Sequence, residues 1–367
     1  MNTAEQITSV HGDAGRSDSV RSDDQKTVHM DAAPTSKHDA PQRPGRVVVF
    51  APSPELTITI EDHAENGDIH IHAGGQGVWQ ARMARALRAE VTLCATFAGE
   101  TGKVLQHLLA DEGINFVAVK RPGLGAAYIH DRRGGERQAI IETAGDPLSR
   151  HDLDELYGIT LREGIESDVV ILSGPVGDGV LPADVYRRLA ADLREHDCTV
   201  IIDLAGERLD AALEGGVDVV KVSHEELLAD GRITDHTVDD IVEAMRGIRD
   251  AGAGTVIVTR AEEPLLLLTG DDVRQLSAPT MEIVDTRGAG DSFTAATAVG
   301  LSRGLGMESA AALGASAGAL NVTRHGLGTG DADAIHTFAS RVRMSALGAE
   351  PHHEVEITPD ELAAMAQ

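Results

Sequence analysis

An aspartate stands directly behind a bend of small residues in the segment VDTRGAGDSF, residues 284–293. The bend is Gly288-Ala289-Gly290, the acid is Asp291, and the alanine-rich run that follows is typical of a helix. The first amides of a helix lack internal partners and carry the positive end of its dipole, so they bind anions such as phosphate. A carboxylate there is suited to take a proton from a hydroxyl that attacks a phosphoryl group. A tight turn in which Asp291 only complements the helix dipole is the alternative, and this segment alone does not separate the two.

A second glycine-rich stretch lies in HAGGQGVWQARMARAL, residues 72–87. Gly74, Gly75 and Gly77 stand where a strand pattern gives way to a helix pattern. Because glycine lets the backbone approach a ligand closely, the stretch indicates a ligand contact, with a simple connecting turn as the alternative.

A third candidate is KVSHEEL, residues 221–227, which directly follows the apolar run VDVV. In parallel α/β sheets the carboxyl end of a strand is where ligands bind. Glu226 in this position could orient a magnesium ion through water. An acid at a helix start that faces solvent is the alternative and the more common one.

Two other groups of polar residues could either bind a ligand or simply face solvent. His70 and His72 are two residues apart on a predicted strand and share a face, but without a third ligand nearby an exposed strand face is favoured over a metal pair. The run DRRGGER, residues 131–137, is typical of a solvated hairpin tip, although in an acidic protein its arginines could supply positive charge to a bound phosphate.

The composition narrows the classes of function. The chain has 367 residues, of which 42% are hydrophobic and only 2% aromatic, so it is globular and offers few stacking platforms for bases. A formal net charge of −27 disfavours nucleic acid and anionic membranes as partners. Cys94 and Cys198 lie in apolar runs and are expected to be buried thiols. No apolar stretch reaches about 18 residues and the N-terminus has no signal-peptide pattern, which predicts a cytoplasmic protein.

The elements that must position these residues are those of an α/β fold. Short apolar runs predict buried strands at 46–50, 91–97, 169–172, 199–202, 217–220 and 255–258. Amphipathic stretches predict helices between them, for example at 182–196 and 238–252. Strands that alternate with helices indicate a mostly parallel sheet with helices on both faces.

Two stretches break this rhythm. Residues 56–74, around Asn66-Gly67, and 126–142, around Gly134-Gly135, alternate with period two and predict two hairpins that pair into a small lid sheet beside the main sheet.

The ends of the chain complete the domain organisation. Residues 308–326 and 331–347 have helical patterns. Residues 1–44 lack hydrophobic periodicity and are predicted to be a disordered tail, 45–347 to be the folded domain, and 348–367 to be a C-terminal tail.

In their order, these motifs resemble the ribokinase-like, phosphofructokinase-B family of carbohydrate kinases over residues 46–345. The segment DTRGAGD is similar to that family's Asp-Thr-x-Gly-Ala-Gly-Asp signature, in which the last aspartate is the catalytic base and the preceding amides form the anion hole. The resemblance therefore implies that Asp291 is the base and that Gly288, Ala289 and Gly290 bind the transferring phosphoryl group. It implies a three-layer α/β/α sandwich with a small β-sheet lid.

Other segments extend the resemblance. AGGQG (73–77) resembles the family's Gly-Gly motif at the sugar site, KVSHEEL its Lys-Pro-Asn-x-x-Glu segment, and residues 255–268 and 317–330 its nucleotide-side strands and adenine-side loop. The implied nucleotide-binding residues are Lys221, Ser223, Glu226, Thr259, Arg287, Asn321 and Gly326, with Glu226 also at the metal. The implied acceptor-binding residues are Thr57, Gly74, Gly75, Gln76 and Trp79.

The acceptor side departs from the family pattern. Thr57 replaces an Asp that holds sugar hydroxyls, Gln76 replaces a Lys, and Trp79 replaces an Asn, so the acceptor cannot be named from these positions. SGPVGDGV (173–180) is similar to the 1-phosphofructokinase or 6-phosphofructokinase branch, where the acceptor is a sugar phosphate. Replacement of the lysine by Gln76 leaves the phosphate contact to an arginine of the 131–137 run.

Two functions follow from the resemblance. One is a kinase that uses ATP and Mg²⁺, with a monovalent cation such as K⁺ near Asp285 and Thr286, a sugar or sugar phosphate as acceptor, and a homodimer through the lid. The other is a non-catalytic sensor on the same fold, against which the retained Asp291 argues. A dinucleotide-binding oxidoreductase ranks third, because no Gly-x-Gly-x-x-Gly follows the first strand.

Overall fold

A computed structural model describes residues 44–63, 66–135, 137–323 and 327–348 of the chain. These residues belong to one compact unit. The predicted tails, 1–44 and 348–367, lie outside the described residues except for Pro44 and Gly348, so their predicted disorder stays a prediction.

The structure contains two sheets and ten described helices. The strands are β1 (Arg46–Ala51), β2 (Glu55–His63), β3 (Asn66–Gly74), β4 (Glu90–Ala98), β5 (Asn115–Arg121), β6 (Ala126–Asp131), β7 (Gln138–Thr143), β8 (Val169–Ser173), β9 (Thr199–Asp203), β10 (Val217–Ser223), β11 (Ala253–Arg260), β12 (Glu263–Thr269), β13 (Asp272–Ser277) and β14 (Arg343–Ala346). The helices are α1 (Gln76–Ala86), α2 (Gly99–Asp111), α3 (Arg150–Ile165), α4 (Asp184–Glu195), α5 (Gly206–Gly215), α6 (His224–Ala229), α7 (Val238–Asp250), α8 (Ala289–Ser302), α9 (Met307–Asn321) and α10 (Ala332–Ala339).

The main sheet confirms the predicted α/β sandwich. Its order is β14-β13-β12-β11-β10-β9-β8-β1-β4-β5, parallel from β11 to β5 and antiparallel from β11 to β14. One apolar core lies between the sheet and the helices α1, α2, α8, α9 and α10, and a second lies between its other face and α3, α4, α5 and α7. Every residue of β8 is buried, as expected for a strand that is covered on both faces.

The two predicted hairpins form the second sheet, in the order β3-β2-β6-β7. The turn of the first hairpin was predicted at Asn66-Gly67, but the chain reverses earlier, between His63 and Asn66. These two residues pair with each other, so Asn66 and Gly67 belong to β3. One face of this sheet carries buried polar side chains, among them Thr57, Thr59 and His130. Since Tyr128 shares that face, the lid presents hydrogen-bonding groups to the space beneath it.

The helix predicted over 331–347 was wrong in its second half. The helix α10 ends at Ala339, and Arg343–Ala346 pairs antiparallel with β13. The open edge of β13 offers unpaired backbone groups, and satisfying them outweighs the helical preference of these residues. The helix predicted over 308–326 is α9, which ends at Asn321.

The cysteines and the lengths of the helices bear on two further predictions. Cys94 and Cys198 are free and buried, as predicted. Within the described part of the chain, no helix has the length and apolar character needed to cross a membrane.

Candidate active site

The helix α8 begins at the glycine bend, as the sequence predicts, and includes the last two residues of that bend. Gly288 is its N-cap residue and has a left-handed backbone with φ 74°, which favours glycine. The helix then starts at Ala289, so Asp291 lies in its first turn with the free amides of the bend beside it. The structure therefore brings the acid and the predicted anion hole together.

The start of α1 lies at the same edge of the sheet. Gly75 caps it with φ 93°. The amide of Gln76 donates to the carbonyl of Asp203 at 3.2 Å, and its oxygen accepts from the backbone N–H of Gly174 at 2.6 Å. Gln76 therefore joins the ends of β8 and β9 by hydrogen bonds within the protein.

A buried polar network lies beneath the glycine bend. The Lys221 ammonium is 3.0 Å from Oδ1 of Asp203, at the end of β9. Asp203 Oδ2 accepts from the Thr294 hydroxyl at 2.9 Å and from the Gln80 amide at 3.3 Å. The same Gln80 nitrogen is 3.3 Å from Oδ1 of Asp291, which links the network to the predicted base.

Burial in this network perturbs the acids. Burial itself, followed by the nearby Asp203 charge, raises the pKa of Asp291 to about 8, while Lys221 and the Gln80 hydrogen bond act in the opposite direction. Burial also raises the pKa of Asp203, although Lys221 opposes the shift. A carboxyl with a raised pKa is a suitable proton acceptor near neutral pH.

Lys221 lies next to the predicted anion hole. A Cβ atom added to Gly290 would be 2.7 Å from the Lys221 ammonium nitrogen. Burial would lower the pKa of Lys221, but the charges of Asp203, Glu226 and Asp291 outweigh it and raise the pKa. The ammonium is therefore a fixed positive charge next to the amides of the bend.

The KVSHEEL segment forms the end of β10 and the start of α6. Ser223 caps the helix by accepting from the Glu226 amide at 3.1 Å, and Glu226 accepts from the Ser223 amide at 2.7 Å. Thr259 pairs with Ser223 across β10 and β11, and its carbonyl lies 3.2 Å from Nδ1 of His224. These residues lie together at the carboxyl ends of neighbouring strands.

Asn321 links the glycine bend to the loop after α9 by hydrogen bonds. Its amide donates to the carbonyl of Arg287 at 2.7 Å and its oxygen accepts from the backbone N–H of Gly328 at 3.1 Å. Both ends of this buried side chain are therefore used to position the loop. Gly326, the neighbouring candidate, lies outside the described residues.

The acceptor-side candidates lie where the lid joins the core. A Cβ atom on Gly74 would be 2.3 Å from the Thr57 hydroxyl, so only glycine fits beside it. The Thr57 hydroxyl lies 3.5 Å from the carboxyl of Glu55, and burial, with Glu142 nearby, raises the pKa of Glu55 to about 7. The indole nitrogen of Trp79 is buried and has no hydrogen-bond partner among the described residues.

The arginines of the lid divide between two roles. Arg137 is 3.0 Å and Arg132 3.7 Å from the same oxygen of Asp285, which lies just ahead of the glycine bend. Arg133 pairs with Asp131 at 2.6 Å at the exposed hairpin tip. Two of the three basic residues therefore lie near the predicted phosphate site.

The two histidines of the lid strand differ in their surroundings. His70 is exposed, within 3.7 Å of Glu61 and 3.5 Å of Asp68. Burial and the Arg82 charge lower the pKa of His72 to about 4. Among the described residues, no three side chains of His, Cys, Asp or Glu form a group that could hold a metal ion.

Three polar residues of this site, Asp203, Gln80 and Thr294, were not predicted from the sequence, and Ser173 was named only as part of the segment 173–180. Asp203 gave a usable signal, because it ends the apolar run TVIID at the carboxyl edge of the sheet, where ligands bind. Gln80 and Thr294 gave none, since each is a single polar residue in an amphipathic or alanine-rich helix.

The chain is similar in sequence to known carbohydrate kinases. The family model described as pfkB family carbohydrate kinase matches residues 48–334. A 1-phosphofructokinase of Bacillus subtilis (strain 168) is 27% identical over 295 residues, which cover 77% of this chain and 93% of that protein. A 1-phosphofructokinase of Haloferax volcanii is 30% identical over 271 residues, covering 70% and 85%.

A solved structure supports the fold. Phosphofructokinase-2 from Escherichia coli in complex with potassium superimposes with a TM-score of 0.70 at 23% identity, covering 81% of this chain and 99% of that one. The same layered sheet is thus shared over most of both chains.

Proposed function

Because this chain belongs to the pfkB family of carbohydrate kinases, we propose that it transfers the γ-phosphoryl group of ATP to a hydroxyl of a sugar or sugar phosphate, with Asp291 as the general base. The observation that carries the proposal is the place of Asp291, a buried acid in the first turn of α8 directly behind the left-handed Gly288. A protein that only bound phosphate would gain nothing from a carboxylate there.

The transfer uses groups of this chain at each end of the phosphoryl group. Asp291 accepts the proton of the acceptor hydroxyl as its oxygen forms a bond to the γ-phosphorus. The bond from that phosphorus to the bridging oxygen breaks and ADP leaves with the electron pair. The amides of Gly288, Ala289 and Gly290 stabilise charge on the transferring group, and the Lys221 ammonium adds a positive potential from below. Asp291 afterwards releases its proton to solvent.

The described residues fit a magnesium ion held mainly by nucleotide phosphates. Mg²⁺ usually takes one or two protein carboxylates and keeps several waters, so the lack of a three-ligand cluster among the described residues is compatible with it. Glu226 is the proposed protein contact, because its half-buried carboxylate lies at the sheet edge, near enough to Lys221 for its charge to raise the pKa of Lys221. When bound, the ion would neutralise phosphate charge during transfer.

Asp285 does not fit a role as a ligand for K⁺. Its Oδ1 accepts from the Arg287 amide at 3.1 Å, and its Oδ2 lies 3.0 Å from Arg137. Arg132 adds a second positive charge to the same oxygen. Since the lid arginines already neutralise this carboxylate, we propose that this chain needs no K⁺ at Asp285.

The acceptor is proposed to bind between the lid and the start of α1. Thr57 and Glu55 line one side, and the Trp79 indole N–H is a donor without a partner among the described residues. The Arg287 guanidinium carbon lies 5.7 Å from the centre of the Tyr128 ring on the lid, so a positive charge lies beside the proposed acceptor site. This combination favours a phosphorylated sugar, the acceptor class implied by the names of the relatives.

The outer face of the lid supports a homodimer. Register places isoleucines of all four strands on this face, at Ile58, Ile60, Ile69, Ile71, Ile129 and Ile141, with Ile140 at a bulge beside them. Ile69 is 63% exposed and Ile141 is 55% exposed. The isoleucines of the outer strands β3 and β7 are exposed and those of the inner strands are half-buried. An apolar face of this kind marks an interaction surface, and a second lid is the proposed occupant.

The test is acceptor-dependent ADP release. The purified protein would be incubated with Mg-ATP and a panel of sugars, sugar phosphates and nucleosides, and the expected result is turnover with sugar phosphates. If ATP binds but no acceptor stimulates ADP release, the non-catalytic sensor replaces the kinase, and the changes at Thr57, Gln76 and Trp79 explain it.

A further inference from the structure

One amide group touches both buried acids of the site. The Gln80 nitrogen is 3.3 Å from Oδ2 of Asp203 and 3.3 Å from Oδ1 of Asp291. An amide nitrogen has two N–H donors, so these contacts use its full donor capacity. Gln80 itself has no solvent exposure. We propose that Gln80 is a positioning residue, which fixes the Asp291 carboxylate in the orientation that faces the acceptor hydroxyl; the proposal rests on the role of Asp291 as the base.

The orientation of the amide is fixed from its other end. The Ser173 hydroxyl donates to the Gln80 oxygen. Ser173 ends β8, a fully buried strand, and its carbonyl accepts from the Tyr186 hydroxyl at 2.8 Å. With the amide reversed, its oxygen would face two carboxylates and its nitrogen would face a hydroxyl, which is unfavourable. The strand end therefore determines which Gln80 atom meets Asp291.

The Gln80 amide contacts both Asp203 and Asp291, whose negative charges repel each other. Asp291 is faced by Asp203 from β9, Lys221 from β10 and Glu226 from α6. The Asp203 charge disfavours ionised Asp291, whereas Lys221 and the Gln80 hydrogen bond favour it. Removing Gln80 and removing the Asp203 charge should therefore move the titration of the base in opposite directions.

This opposition gives a test that loss of folding cannot imitate. Gln80→Met keeps the volume but removes both donors, and the acid limb of kcat/KM for the acceptor is expected to move to higher pH by roughly 0.5–1 unit. The value of kcat is expected to fall about 10- to 100-fold, because the carboxylate is no longer held in place. Asp203→Asn removes a repelling charge, so its acid limb should move to lower pH. Gln106→Met is a control on α2, where the Gln106 amide donates to the Gly102 carbonyl, and it should change neither.

Each outcome decides the proposal. Should Gln80→Met not fold, Ser173→Ala removes the hydroxyl that orients the amide and should shift the limb the same way by a smaller amount. A folded Gln80→Met enzyme with an unchanged limb and near-normal kcat overturns the positioning role while leaving the kinase intact. A wild-type protein without acceptor-dependent turnover would instead reject the proposed function, and the role of Gln80 with it.

Discussion

The substitution Asp291→Asn is expected to stabilise the fold while it removes the proposed base. The pKa of Asp291 is raised from 3.8 to about 8, chiefly by burial and then by Asp203. Between these values the folded protein holds a proton that the unfolded chain releases. The associated stability is fully present below the unfolded pKa and is lost as pH rises towards the folded pKa.

The magnitude follows from the size of that window. Each pH unit within it costs about 1.4 kcal/mol, so near pH 7 the wild-type protein loses up to roughly 4 kcal/mol of unfolding free energy. Asparagine does not titrate, but its amide must find partners beside Gln80 and Asp203, which offsets about 1–3 kcal/mol. The expected net gain near pH 7 is therefore roughly 1–3 kcal/mol.

Urea denaturation followed by circular dichroism, at about pH 6 and about pH 8, measures this gain. The stability gap between Asp291→Asn and wild type should widen by roughly 2–3 kcal/mol between the two conditions. Asp178→Asn is the matched control, because Asp178 is fully exposed and its replacement should leave the gap near zero at both pH values. A variant that is less stable than wild type at both pH values, or a gap that does not widen, would refute the burial argument.

Three further substitutions test other parts of the site. Gly290→Ala should lower kcat at least 10-fold by displacing Lys221. Gly134→Ala is the control, because a Cβ atom at Gly134 has no other atom within 4 Å, and it should leave kcat unchanged. Equal kcat values for the two variants in the ADP-release assay would contradict this. Glu226→Gln keeps an oxygen that can cap α6, so the fold should persist while the Mg²⁺ concentration for half-maximal activity rises several-fold. An unchanged Mg²⁺ dependence would exclude Glu226 from the metal site. Ile141→Asp should convert a dimer into a monomer in analytical ultracentrifugation, and a monomeric wild-type protein would exclude the lid dimer.

The sequence predicted the fold best where a residue pattern is typical of one kind of element. The continuous apolar runs predicted the parallel strands except β5, and the glycines before Asp291 predicted where α8 begins. Period-two alternation predicted both lid hairpins, but it could not place the first reversal, because Asn66-Gly67 is typical of a turn and yet lies within β3.

Contacts between distant segments could not be predicted in this way. The link from Gln80 to Asp203 and Asp291 joins residues 123 and 211 positions apart, and it exists only because α1 and α8 pack side by side at the same sheet edge. The pairing of Arg137 with Asp285 likewise depends on how the lid lies over the loop, so the sequence indicated basic residues near a phosphate but not their carboxylate partner.

The central claim is that Asp291 removes the proton of the acceptor hydroxyl. The most direct measurement compares acceptor-dependent ADP release by wild-type and Asp291→Asn protein, together with ATP affinity from isothermal titration calorimetry. If Asp291 is the base, turnover should fall about 10²- to 10⁴-fold in Asp291→Asn while ATP affinity stays nearly unchanged. Near-normal turnover in the variant would contradict it.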